Sequence, residues 1–279
     1  MVLPRYLVLL LLLGADALAA GNGFVIGGGV ETDTESSTNV TLLGSVGVSK
    51  STLLSGALAR TSTEPRRRLK SETKLWDLEL DQGFGPVGVR VGAGNWGDPD
   101  VLEARDLRGS LYWQNDTAML SGEVESRRFQ LTTPGIRLPP REFHFDADGL
   151  GLSARFRMGE NVTLRFSGMK YDYSVDFQPV QDQDVIDLLS VSRLSLINSL
   201  VDSRALAALA VNRGAKRWEF ELATRKGALD RDRTNSLTVR YLLPLSGASD
   251  IELGLGYDDS DLYGTATFFS LYVYFYGGT

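Results

Sequence analysis

The sequence predicts an all-β fold: a transmembrane antiparallel up-and-down β-barrel of about 14 strands, within a range of about 12–16, with one helix in a long outer loop. Two observations carry this prediction. Between Asn22 and Tyr276, short segments alternate apolar and polar side chains with a period of two, which is the geometry of a strand. The connections between these segments are alternately short and long, as in barrels that cross a membrane.

The first residues predict a segment that directs export. Arg5 supplies a positive charge, residues 6–13 form an apolar stretch, and a small-residue cleavage pattern ends at Ala19. A membrane anchor is the alternative, but it needs roughly 20 apolar residues. We therefore expect a signal peptide at residues 1–20 and the transmembrane barrel at residues 21–279.

The composition excludes several classes of protein. The chain has 279 residues and no cysteine, so neither disulfides nor thiolate metal sites hold it together. Its net charge of −6 comes from interleaved acidic and basic residues, which argues against nucleic acid as a partner. We expect no cofactor and no bound metal.

Seven strands are predicted in the first half of the chain, and the third of them runs from Ser51 to about Thr61. Turn sequences such as Gly85-Pro86 and Asn115-Asp116 separate strand pairs. The apolar faces carry Phe24, Ile26, Gly28 and Val30; Val40, Leu42, Gly44, Val46 and Val48; Trp76, Leu78 and Leu80; Val87, Val89, Val91 and Ala93; Leu107, Gly109, Leu111 and Trp113; Ala118, Leu120, Gly122 and Val124.

Seven more strands follow the same scheme in the second half. The tenth runs from Arg204 to Asn212, and the residues between these two are small and apolar. The other apolar faces carry Leu150, Leu152, Ala154, Phe156 and Met158; Val162, Leu164 and Phe166; Trp218, Phe220 and Leu222; Leu237, Val239, Tyr241 and Leu243; Ile251, Leu253, Leu255 and Tyr257; Phe269, Leu271, Val273 and Phe275.

A soluble sandwich is the alternative fold, and three features argue against it. The face opposite the apolar one carries many charges, as a water-filled interior would. Turns of about two to five residues alternate with loops of about eight to thirty, which places the long loops at one end. The last strand ends in aromatic residues, including Phe275, and resembles the signal that hands outer-membrane barrels to the barrel-assembly machinery.

The tryptophans predict two membrane interfaces. Trp113 and Trp218 adjoin short turns, whereas Trp76 and Trp96 adjoin long loops. Tryptophan is enriched where its polar edge meets lipid headgroups. We therefore expect these four side chains at the two rims of the barrel.

Length, strand count and alternation together resemble the fourteen-stranded monomeric porin class of Gram-negative bacteria, of which outer-membrane porin G is an example. The resemblance covers nearly the whole mature chain, without a specific family motif. It implies a bacterial outer-membrane channel for passive diffusion of small polar or ionic solutes. Fatty-acid transporters of the same strand count carry a plug before the first strand, whereas the first strand here begins at Phe24.

Charged residues on the polar face are the candidate pore lining. Acidic and basic strips on successive strands would create a transverse field that biases the choice of ions. Cross-strand pairing that only stiffens the wall is the alternative. We expect Asp77 and Glu79 to neighbour Arg90 on the next strand and Arg108 on the one after; Glu123 and Glu125 to neighbour Arg155 and Arg157 and then, one strand further, Arg165; and Glu219 and Glu221 to neighbour Arg240, which neighbours Glu252.

A helix is predicted at residues 184–201, because the apolar side chains there follow a helical rather than an alternating pattern. Asp182 or Asp184 can cap its start. The segment follows the ninth strand in an outer loop at residues 178–202. There it could constrict the mouth of a pore, pack on neighbouring loops or bind a partner protein.

Two other functions remain open on the sequence. A non-transporting barrel would be a structural or docking subunit of an envelope complex. A lipid-modifying enzyme would depend on the one histidine, His144, which shares a strand face with Asp146 and Asp148. No serine lies two residues from it, the spacing of outer-membrane phospholipases, so we expect no enzyme and a structural or lumen-facing histidine.

The expected partners belong to the cell envelope. A basic outer loop at residues 65–70 could contact lipopolysaccharide phosphates, although simple solvation of loop charges is the alternative. We expect contacts with outer-membrane lipid and lipopolysaccharide, the barrel-assembly machinery and small polar solutes.

Overall fold

A computed structural model of the protein describes residues 23–63, 71–133, 141–175 and 200–278. The predicted signal peptide, the basic loop and the predicted helix up to residue 199 lie outside the described residues. Within the described part, no helix is long and apolar enough to cross a membrane. The end predicted for the helix is wrong, because Val201 already begins a strand.

Fourteen strands make up the fold, which confirms the predicted class and number. Each strand of the alternating sequence forms where predicted, and most extend beyond it. The strands are β1 (Phe24–Asp33), β2 (Ser37–Ser49), β3 (Thr52–Thr63), β4 (Ser71–Phe84), β5 (Val87–Asp98), β6 (Leu102–Gln114), β7 (Ala118–Thr133), β8 (Arg141–Met158), β9 (Val162–Tyr173), β10 (Val201–Arg213), β11 (Lys216–Gly227), β12 (Arg233–Ser246), β13 (Ser249–Ser260) and β14 (Gly264–Gly277).

The sheet closes on itself without an open edge. Every strand pairs antiparallel with its sequence neighbours, and β1 closes the barrel by pairing with β14 from Phe24–Gly277 to Asp33–Phe268. Closure satisfies the backbone N–H and C=O groups of both edge strands, which is the condition for spanning a bilayer with strands.

Glycines on β1 make room for this closure. Gly27 and Gly29 lie opposite Tyr274 and Tyr272. A Cβ at Gly29 would stand 2.3 Å from the Tyr272 ring, and one at Gly27 would stand 2.6 Å from the Tyr274 ring. The two tyrosine rings therefore lie flat against the inner face of β1.

The outer surface carries an apolar belt, as the alternation predicts. Leu150 and Leu152 are 71% and 73% exposed, although they are large and apolar. Contiguous exposed apolar surface of this kind marks contact with lipid or protein. Other belt residues are Leu42, Leu78, Val91, Leu107, Leu111, Val124, Phe166, Leu222, Leu237, Leu255 and Phe269.

The connections confirm that the longest loops share one end, but several are shorter than predicted. The loops at this long-loop end are 34–36, 64–70, 99–101, 134–140, 174–200, 228–232 and 261–263. The opposite, short-turn end has connections of two or three residues: 50–51, 85–86, 115–117, 159–161, 214–215 and 247–248. Strand pairing continues past the alternating apolar segments, which shortens the loops.

Among the described residues, three apolar clusters lie inside the barrel; the smallest comprises Met169, Tyr171 and Val201, and the two larger ones are the following. The mouth cluster, at the long-loop end, comprises Trp96, Leu102, Ala104, Phe129, Phe145, Ala147 and Leu200. The base cluster, on the wall around β1 and β14, comprises Val25, Leu43, Leu242, Tyr272 and Tyr274. Neither cluster is predicted by the sequence analysis, which assigns apolar side chains to the outer face.

Candidate functional site: the lumen

The predicted pore-lining residues lie on strands β4 to β9 and β11 to β13, at positions that alternate with the outer belt. Asp77, Glu125 and Glu252 are buried although they carry charge, because the barrel wall and its other inward side chains surround them. Arg157 lies at the short-turn end and is exposed. The inward placement that alternation predicts is therefore present in the structure.

One group of charges spans β4, β5 and β6, as predicted. Arg90 donates from Nε to Asp81 at 2.7 Å, and the Tyr112 hydroxyl donates to the other oxygen of Asp81 at 2.7 Å. Arg108 forms an ion pair with Asp77. The Arg90 guanidinium also lies over the Tyr112 ring, 4.7 Å from its centroid. These contacts join three neighbouring strands on their inner face.

A second group centres on Arg127, which the sequence analysis missed. Arg127 is 1% exposed, and its Nη2 lies 2.7 Å from Glu125. The Tyr171 hydroxyl donates to Glu125 at 2.6 Å and accepts from Arg127 at 2.9 Å. Arg204 reaches the same carboxylate at 3.4 Å. Arg127 shares its strand face with Glu125, so the alternation itself could have identified it.

A third group surrounds Glu219 on β11. Its carboxylate accepts from Arg165 at 2.7 Å, from Arg240 at 2.7 Å and from Arg217 at 3.0 Å. Arg240 also contacts Glu221 at 3.3 Å. The predicted contact between Arg240 and these two glutamates is therefore correct.

Arg165 was expected on the strand after Arg155 and Arg157, and it lies there. Its ion pair is formed on the other side, across β10, with Glu219. The strand register is the reason, because Arg165 lies opposite Arg155 on one side and Ala208 on the other.

A cavity of about 220 Å³ lies in the middle of the lumen, between these groups. Its charged lining comes from six strands. The lining includes Arg90, Glu123, Arg155, Arg165, Arg204, Glu221 and Arg225, with Ser153, Ser167, Ser236, Met119 and Met169 between them. Positive residues outnumber negative ones in this lining.

The mouth cluster lies on the same inner face, nearer the long-loop end. Phe129 stacks on Phe145 with ring centroids 4.8 Å apart, and Trp96 meets Phe129 edge-on at 6.1 Å. Tyr173 adds a ring 6.1 Å from Phe129. The predicted place of Trp96 at the lipid interface is therefore wrong, since it is 8% exposed and points inward. Trp76 and the other two tryptophans are outward and exposed.

His144 does not face the lumen. Its neighbour Phe145 points inward, so His144 points outward, and its side chain is 68% exposed with Glu142 at 4.0 Å. Asp146 and Asp148 share this exposed face. In the described part of the chain, no group of histidine, aspartate or glutamate residues is arranged to hold a metal ion.

Comparison with known proteins finds similarity of structure but not of sequence. No protein-family model matches the chain, and no curated protein matches it. A loop-deletion mutant of OmpT, an outer membrane protein of Vibrio cholerae, superposes with a TM-score of 0.52 at 9% identity, over 92% of this chain and 100% of that one. In-vitro folded OmpT gives 0.51 at 8% identity, over 91% and 98%.

The fold is that of an outer-membrane β-barrel. The closed sheet satisfies its own backbone, the apolar belt fits a bilayer, and the shared fold comes from an outer membrane protein. The chain thus forms a barrel of this fold, with charged residues on its inner face.

Proposed function

We propose that the protein is a channel for passive diffusion of small polar or ionic solutes. The observation that carries the proposal is the charged inner face around the mid-lumen cavity. The thirteen residues predicted to line the pore contribute to it, together with Arg127, Arg204, Arg217 and Arg225. The solute would meet guanidinium, carboxylate and hydroxyl groups along the middle of the barrel.

Energetics favour a solute path over a purely structural lining. Burying an ion pair gives little net stability, and apolar residues of similar volume often stabilise a protein as well or better. The barrel does fill its inner face with apolar residues in the mouth and base clusters. Charges in the middle are thus not a requirement of packing, and a hydrated path gives them a role.

Cysteine labelling in planar bilayers tests the proposal, because the chain has no native cysteine. Ser153 lines the cavity, whereas its neighbour Leu152 faces lipid. The refolded protein should produce discrete conductance steps. A charged methanethiosulfonate reagent should reduce the steps of Ser153→Cys and leave those of Leu152→Cys unchanged. Absence of steps from a folded barrel, or equal effects on both variants, would refute the channel.

The second candidate is a non-transporting barrel that docks an envelope partner. The mouth cluster favours it, because aromatic side chains pack inside the wall where a channel needs an opening. A folded barrel that stays silent in bilayers, and that captures a defined envelope protein through its long-loop end, would favour this candidate. Contacts with lipopolysaccharide and the barrel-assembly machinery remain predictions under either function.

A further inference from the structure

The outer face of the wall carries a groove of about 1140 Å³, which we call the outer groove. It crosses the apolar belt from β5 to β12, and large side chains such as Leu111, Phe166 and Leu222 line its sides. The groove forms because five outward positions on β7 to β10 are glycine or alanine: Gly122, Ala154, Gly168, Ala205 and Ala207.

Three cations lie in one row on the same face, directly beside the groove. Lys170 on β9 is in register with Ser203 on β10, Ser203 with Lys226 on β11, and Lys226 with Arg233 on β12. Each cation is two residues along its strand from a residue that lines the groove, toward the long-loop end. Residues two apart share a face of a strand. These four residues, the cationic row, are therefore the margin of the groove on that side.

Acidic side chains on this face lie outside the row. Asp172 is two residues beyond Lys170, and Asp259 is in register with Asn235. Asp261 follows β13 and donates its backbone N–H to the Arg233 carbonyl at 3.1 Å. All charges within the row are thus positive, although the whole chain carries −6. Basic groups at a membrane surface attract anionic lipid headgroups.

The groove and the row together have the polarity of a lipid. The row is polar and positive, and the groove beside it is apolar and lies in the part of the wall that faces acyl chains. Thr224 and Asn235 lie in register between the two zones and line the groove. Their hydroxyl and amide groups can bond to sugar hydroxyls or ester carbonyls.

The width of the site selects among lipids. Lys170 and Arg233 are three strands apart, which is about 14 Å at about 4.8 Å per strand. A glycerophospholipid has one phosphate and two chains, so it would cover only part of this surface. Lipid A, the membrane anchor of lipopolysaccharide, has a phosphate at each end of a sugar pair and several chains. The long loops of bacterial barrels face the cell exterior, the side on which lipopolysaccharide lies.

A second copy of the chain fits this face less well. Barrels in one membrane share an orientation, so a symmetric contact between two copies places equal levels of the wall opposite each other. The cationic row would then meet the same row of its partner. Like charges brought together across an interface oppose binding.

We infer that the outer groove and the cationic row form a binding site for one lipopolysaccharide molecule. Lys170, Lys226 and Arg233 hold the phosphates of its lipid A, and the groove holds its acyl chains. The inference is independent of the proposed channel, because the site lies on the outside of the wall.

Native mass spectrometry of the refolded barrel in detergent micelles tests the site. Lipid A is titrated in, with phosphatidylglycerol and a lipid A that lacks one phosphate in parallel. We expect saturation at one lipid A per barrel. Its affinity should exceed that of either comparison lipid at least about tenfold, because the second phosphate or the extra chains add contacts.

Three results would overturn the inference. Equal or tighter binding of phosphatidylglycerol would make the occupant a phospholipid. A stable dimer that excludes lipid A would assign the groove to a second copy. Absence of saturable binding of lipid A would remove the site.

A pair of charge variants tests the row. Lys226→Gln with Arg233→Gln removes two cations in register between β11 and β12, and the affinity for lipid A should fall at least about tenfold. The matched control is Arg105→Gln with Arg128→Gln, a pair in register between β6 and β7 that is exposed on the outer face but does not adjoin the groove. It should bind like the unmodified barrel. Equal affinity of the two double variants would refute the role of the row.

A second pair of variants tests the groove and leaves every charge in place. Gly122→Leu with Ala205→Leu fills it, and the wall accommodates both changes, because a Cβ at Gly122 meets nothing within 4 Å and Ala205 is exposed. The affinity for lipid A should fall at least about tenfold as acyl contacts are lost. Gly44→Leu with Ala93→Leu adds the same side chains to the outer face away from the groove and should not change the affinity. Equal affinities would show that the chains bind elsewhere, which would overturn the site.

Discussion

The middle of the lumen and the mouth cluster use the same strands and the same inner face, yet their chemistry is opposite. On β7, Glu125 and Arg127 belong to the charged middle, and Phe129, the next inward residue, belongs to the apolar mouth. On β8, Gly149 and Gly151 are followed toward the long-loop end by Ala147 and Phe145. One inward position therefore separates a polar interior from an apolar one.

The polarity of the outer face changes at the same level, but in the reverse direction. The outer face is apolar around the charged middle and charged around the mouth cluster. Leu107 and Val124 belong to the apolar belt, whereas Arg105 and Arg128, nearer the long-loop end, are exposed and charged. Above the belt the wall stands in water, so its outer face is polar and its inner face forms a core. Below that level lipid covers the outside, and the inner face can be polar. The medium that surrounds the wall, water or lipid, therefore determines whether the inner face at the same height of the barrel is apolar or polar.

The largest loss of stability should come from removing one partner of a buried ion pair in the charged middle of the lumen. Arg127→Met leaves Glu125 as a buried carboxylate with fewer partners, which should lower the free energy of unfolding by about 3–5 kcal/mol. Equilibrium denaturant unfolding in lipid vesicles measures it. The double variant Glu125→Gln with Arg127→Met should regain much of the loss. If it is no more stable than the single variant, the charges are not coupled as the structure shows.

A slightly smaller effect is expected in the mouth cluster. Phe145→Ala removes a buried ring that stacks on Phe129, and such truncations cost about 3 kcal/mol or more. Phe143→Ala, two residues nearer the start of β8 on the same face, removes a ring that is 50% exposed and should cost about 1 kcal/mol or less. If the barrel is the proposed channel, Phe145→Ala should also raise its single-channel conductance by widening the mouth. Equal costs at both positions would contradict the mouth cluster as a packed core.

The smallest change in the free energy of unfolding is expected from variants that test how far lipid extends along the outer face toward the long-loop end. Leu152→Arg places a charge in the apolar belt and should cost about 2–4 kcal/mol if the site is near the midplane. His144→Arg, on the same strand and the same outer face, lies above the belt and should change stability by about 0.5 kcal/mol or less. Similar losses for both variants would show that lipid reaches the long-loop end and that the polarity reversal has another cause.

Alternation with a period of two was enough to predict which side chains of each strand share a face. The sequence therefore predicted Leu152 and Val124 as outward, and Glu125 and Glu219 as inward, because successive side chains of a strand point to opposite sides. Turn chemistry separated most strand pairs, since residues such as Gly85 adopt a φ of +72°, which glycine tolerates. These are local properties, and local sequence determines them.

Tertiary structure alone decided the register in which neighbouring strands pair. The contact of Arg165 with Glu219 joins residues 54 positions apart in sequence, and only the ladders of β9, β10 and β11 bring them together. Trp96 and Phe129 point inward although they are aromatic, because their strands extend beyond the lipid belt and share a dry interior there. The alternation along one strand does not indicate where the bilayer ends. The sequence therefore determined which side chains share each face of the wall. The folded barrel determined whether each face contacts lipid, water or other side chains.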